Sequence, residues 1–91
     1  MNHSQAAALA VAIESAFRNY AYPGGTPLVQ RATTAFDHYR GEWMIQVDYN
    51  TPNAAQWSRF TSAESVGAFM GDLYAAHASR WQAFKALQKA A

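Results

Sequence analysis

The sequence predicts an α+β fold in the order αβββα: a three-stranded antiparallel sheet with two helices on one face, the second helix long. Residues 61–91 carry a capping signal followed by an apolar stripe at helical spacing, and residues 42–49 alternate apolar and polar as a strand does. Proline, glycine and asparagine cluster between the periodic segments. Ninety-one residues make one domain, 1–91, able to bury about 60 to 65% of its unfolded surface.

Ser4 is the candidate N-cap of the first helix, and Ala6, Leu9, Ala10, Ile13, Ala16, Phe17 and Tyr20 share one face, which carries the helix to about Tyr20. Five alanines among residues 6–12 serve helix propensity and permit close approach by another helix. The helix ends at Tyr22-Pro23-Gly24-Gly25-Thr26-Pro27, because proline and paired glycines break it. This segment lacks both the GxGxxG spacing and a following Lys-Ser/Thr, so it reads as a connection and not as a phosphate cradle.

Residues 26–40 allow two readings. Thr26 as a cap, Pro27 at the first helical position, the stripe Leu28, Ala32, Ala35, Phe36 and Tyr39, and Gly41 as a stop describe a helix. Thr33-Thr34 and the aromatic content favour a strand, and the following segment needs a partner: Trp43, Ile45, Val47 and Tyr49 alternate with Glu42, Met44, Gln46 and Asp48. The preferred reading is therefore a hairpin, residues from about Val29 to Tyr39 pairing with Glu42 to Tyr49 across a turn at Arg40-Gly41. A two- or four-residue loop puts Ala32, Thr34 and Phe36 on the face of Trp43, Ile45 and Val47. Thr51-Pro52-Asn53 then marks a turn, and Gln56 to Phe60 a third strand. An even loop turns Phe60 inward and Trp57 outward with Arg59, whereas an odd loop reverses them; the even register is preferred.

Thr61 or Ser62 caps the last helix, with Thr61-Ser62-Ala63-Glu64 matching a capping box. Val66, Phe69, Met70, Leu73, His77, Trp81, Phe84 and Leu87 fall within a band of about 120°, the width of a core-facing stripe. Running unbroken to residue 90, this helix spans roughly 43 Å, against about 27 Å for an eight-residue strand, so its last turns overhang the sheet.

Composition and motifs narrow the function. The chain is 51% hydrophobic and 14% charged with a net charge of +1, which argues against disorder and gives no general attraction to nucleic acid or anionic lipid. No apolar run approaches the roughly 18 residues of a membrane span. Zero cysteines remove disulfide and thiolate chemistry and fit a cytoplasmic protein. His3, His38 and His77 form no metal-ligand spacing, and His77 is expected inside the helix stripe with one ring nitrogen hydrogen-bonded. The carboxylates Glu14, Asp37, Glu42, Asp48, Glu64 and Asp72 are scattered, and no serine sits in a nucleophile motif. The expectation is a non-enzyme without metal or cofactor.

The element order resembles that of the double-stranded RNA-binding domain. That family grips phosphates with a lysine cluster at the start of its last helix, whereas Thr61 to Gly71 contains no basic residue. Direct nucleic-acid binding, as a small accessory protein, is therefore the alternative reading. Protein binding is the leading one, through the open sheet face around Tyr39, Met44, Trp57 and Arg59, since methionine, aromatic residues and arginine dominate interface hot spots. A second surface is the overhanging helix end, where Trp81, Phe84 and Leu87 either pack on helix one or pair two copies into a structural homodimer.

In its size, low charge, lack of cysteines and helix-sheet-helix layout, the chain resembles the small inhibitors of bacterial defence encoded by phages and mobile elements, the anti-CRISPR proteins. The resemblance implies a protein that binds a larger protein or nucleoprotein complex and blocks it. Six scattered acids do not mimic DNA, so steric occlusion is the mechanism it implies here.

Overall fold

The computed structural model describes residues 1–90, in the order α1 (His3–Phe17), β1 (Val29–Asp37), β2 (Glu42–Asn50), β3 (Ala55–Phe60) and α2 (Ala63–Ala90). The strands form one antiparallel sheet in the order β1-β2-β3.

Asn2, and not Ser4, caps α1. Its side chain accepts the Gln5 N–H at 2.9 Å while the Gln5 side chain accepts the Asn2 N–H at 3.0 Å, a reciprocal pair that places Ser4 inside the first turn. The helix stops at Phe17, short of Tyr20, because the following loop takes over the backbone groups: Tyr20 N–H donates to Phe17 C=O at 3.2 Å, and Tyr20 C=O accepts from Leu28 N–H at 3.0 Å. Gly24 and Gly25 turn that loop at φ of 103° and 94°, a left-handed region costly for any side chain.

Residues 29–37 are a strand, so the hairpin reading holds over the helical one. The loop 38–41 joins Asp37 to its partner Glu42. The Asp37 carboxylate accepts the N–H groups of Tyr39 at 3.0 Å and Arg40 at 3.3 Å, and Gly41 takes a φ of 65°. Those bonds end β1 two residues before Tyr39.

The register places Ala32 opposite Val47, Thr34 opposite Ile45 and Phe36 opposite Trp43. The connection 51–54 has an even length, which sets Phe60 beside Ile45 and Trp57 opposite Asp48. A bulge at Gln30 bends the start of β1.

Ala6, Ala10 and Ile13 of α1, Val66, Met70 and Leu73 of α2, and Leu28, Ala32, Ile45 and Val47 make one buried cluster. The Phe69 ring of α2 lies 4.9 Å from both Tyr49 and Phe60, and His3 of α1 lies 4.4 Å from Trp43. Ser62 starts α2 by accepting the Ser65 N–H at 3.1 Å, so the cap forms without the Thr61–Glu64 pair. At 28 residues α2 is about 42 Å long, in a molecule measuring 55 × 21 × 19 Å. Its buried residues end at His77.

Candidate functional site

The sheet face carrying Trp57 presents a connected polar array across all three strands. Arg31 on β1 stands opposite Asp48 on β2, and its Nε donates to that carboxylate. Gln46 Nε2 donates to the same carboxylate at 3.0 Å, and Gln46 Oε1 accepts from Arg59 Nε on β3, also at 3.0 Å. The Arg59 guanidinium lies 5.1 Å from the centre of the Trp57 ring, a cation–π contact on an indole that is 60% exposed. Half-buried Met44, opposite Ala35, continues the face toward the hairpin.

The Arg31 and Gln46 hydrogen bonds hold the Asp48 carboxyl below the usual carboxylate range. A carboxylate so engaged is an anchor for two donors and not a poised proton acceptor. Among the described residues, no group of three or more His, Asp or Glu is placed to hold a metal ion. The array is a hydrogen-bonded, amphipathic surface with a flat aromatic ring and its cation turned to solvent.

Of the residues singled out in the sequence, Met44, Trp57 and Arg59 are brought together on this face. Tyr39, expected at the end of the first strand, lies outside it: it projects from the hairpin loop, 102% exposed. Gln46 and Asp48 fall on this face by the strand alternation but were not singled out as contact residues, and Arg31 was missed. The signal was present, because a four-residue loop already pairs residue 37 with 42 and hence 31 with 48, an opposite-charge cross-strand pair.

The far half of α2 is tied to the α1–β1 loop instead of to helix one. Trp81 Nε1–H donates to Ala21 C=O at 2.7 Å, and His77 Nε2 approaches the same oxygen at 2.8 Å. A carbonyl only accepts, so Nε2 carries the proton, leaving the buried Nδ1 with no hydrogen-bond partner among the described residues. Trp81 is thereby half-buried, whereas Phe84 and Leu87 remain exposed. They line an open groove of about 380 Å³ with Tyr22, Pro23, Pro52 and Arg80. A second, apolar cleft of about 330 Å³ separates Ala12 and Ala16 of α1 from Gly67 and Gly71 of α2.

Among the described residues, no helix is long and apolar enough to cross a membrane. No family model, curated protein or solved structure matches the chain.

Proposed function

We propose that this is a non-catalytic, cytoplasmic protein-binding domain that inhibits or modulates a larger protein or nucleoprotein complex by steric occlusion, in the manner of the anti-CRISPR proteins it resembles. The observation that carries the reading is Trp57, an indole turned out of the sheet, more than half exposed and stacked under Arg59. Tryptophan and arginine are the residue types that most often supply binding energy when a partner covers them. Trp57, Arg59 and Met44 form the centre of the contact, with Tyr39 reaching it from the hairpin tip.

The layout supports this use. Phe69 on Tyr49 and Phe60, and His3 on Trp43, are all contacts with the Ile45 face, consistent with both helices covering that side and leaving the Trp57 face bare. The low net charge fits occlusion better than nucleic-acid mimicry or capture.

The test is a comparison of wild type with Trp57→Ala, each immobilised in a bacterial lysate, followed by a DNA-cleavage assay of whichever purified complex is captured. The expected result is a partner retained by wild type, lost at least tenfold by the variant, and inhibited in proportion to binding. A partner retained equally by both proteins would sink the assignment of this face. Salt-sensitive binding of DNA or RNA to the isolated chain would replace it with the nucleic-acid reading.

A further inference from the structure

The two edges of the sheet are treated differently, and the difference points to a partner. At the β1 edge the Ala32 N–H, which a neighbouring strand would use, is already taken by Glu14 Oε1 of α1 at 2.8 Å. The bulge at Gln30 further spoils that edge as a template. At the β3 edge nothing comparable occurs. Ala55, Gln56, Trp57 and Arg59 are exposed, and among the described residues no β3 backbone group bonds outside the sheet ladder. Arg59, the one charged residue of the strand, does not guard the edge, because its side chain is drawn back over Trp57 and onto Gln46.

The ladder shows which groups face outward. Since Ala32 points its N–H away from β2, the pair Ala32–Val47 is of the non-hydrogen-bonded kind, so Val47 turns its own N–H and C=O toward β3. Trp43, of the same parity, agrees: its N–H points away from β1 and donates to Met1 C=O at 3.1 Å. Ser58, opposite Val47, therefore bonds inward to β2, and Trp57 and Arg59 direct their N–H and C=O groups to the free edge.

We propose that this edge pairs with β3 of a second copy of the chain, antiparallel about a two-fold axis at Ser58, giving a continuous six-stranded sheet. Placing the axis at Ser58 makes Trp57 of each copy exchange both backbone hydrogen bonds with Arg59 of the other, using the outward groups just identified. It sets indole against guanidinium across the interface, the pairing already made within one chain, and keeps the two Arg59 side chains off each other. An isologous contact needs such self-complementarity, and β3 carries it within three consecutive residues. The dimer also doubles the Trp57 face, although it does not depend on what that face binds.

The chain contains no cysteine, so single substitutions read the register without background. In the proposed pairing Ser58 faces its own copy as a non-hydrogen-bonded pair, with Cα atoms about 4.5 Å apart, inside the range a disulfide spans. Ser58→Cys, oxidised under mild conditions, is expected to run mostly as a disulfide-linked dimer on a non-reducing gel. Trp57→Cys and Arg59→Cys, displaced along the strand to about 7–8 Å or more, are expected to stay unlinked. Wild type is expected to sediment as a concentration-dependent dimer. Circular dichroism of each variant confirms the fold before oxidation. Ser58→Cys remaining unlinked while folded overturns the proposal, whether wild type sediments as a monomer or as a dimer through some other surface. Preferential linking of Trp57→Cys overturns the axis. Loss of partner capture by Trp57→Ala touches neither result, so the two readings fail separately.

Discussion

Tyr22 shows how much one side chain does in a core this small. It is buried, its hydroxyl donates to Asn50 C=O at 2.9 Å, and Asn50 in turn donates to Pro27 C=O at 2.8 Å, fastening the α1–β1 loop to the end of β2. Burial pushes its phenol above the ordinary value, only partly offset by the nearby Arg80 cation. A phenol whose pKa is raised on folding stabilises the native state fully below its unfolded pKa of about 10, and that contribution is lost as pH rises through the higher folded value. Tyr22→Phe is therefore expected to cost about 1 kcal/mol at pH 7, for the lost hydrogen bond. The gap to wild type should then narrow above about pH 10. Urea unfolding across that range checks it, and a gap independent of pH would contradict the burial argument.

At the scale of elements, the strands were legible because period two is unambiguous over Trp43 to Tyr49, and because loops 38–41 and 51–54 are both even, so the paired residues from Arg31 to Asp37 and along β2 and β3 kept their faces, while the bulge at Gln30 turns Val29 to the side of Tyr49. The helix ends were less legible. Asn2 competes with Ser4 for the cap, and only the return bond from Gln5 decides between them. Tyr39 continues the strand pattern on paper, yet the Asp37 carboxylate captures its N–H and ends β1 first. The α2 stripe is continuous in sequence to Leu87 but buried only to His77, since periodicity shows which face is apolar and not how far its cover extends. Beyond the sheet, α2 is held to the α1–β1 loop by the rings of Tyr20 and Tyr22 against Tyr74 and His77 and by one carbonyl, Ala21, serving both His77 and Trp81. Trp81→Phe should keep the packing and lose one bond, costing about 0.5–1.5 kcal/mol. Hydrogen exchange should then accelerate in residues 82–90 and little elsewhere; unchanged exchange there would show that the indole bond does not hold the helix end.

For the whole molecule, the radius of gyration of 15.0 Å exceeds the roughly 12 Å expected of a compact chain of this length, and the 28-residue α2, at about 42 Å, is the one element long enough to account for most of the 55 Å extent. Because the buried cluster stops at His77, the last turns contribute length more than stability. Deleting residues 84–91 is expected to bring the radius of gyration of the dilute chain toward 12 Å while lowering unfolding free energy by no more than about 1 kcal/mol. Small-angle scattering with denaturant titration measures both. A loss of several kcal/mol would mean that Phe84 and Leu87 close the groove over Tyr22 and act as core.

The three tryptophans sit in three different settings: Trp43 half-covered beside His3, Trp57 in water, and Trp81 half-covered with its indole N–H held by Ala21. Their emission should accordingly separate, with a soluble quencher such as iodide reaching Trp57 first. The chain thus carries a built-in optical gauge, in which protection of one fluorophore follows coverage of the sheet while the other two follow the integrity of the fold.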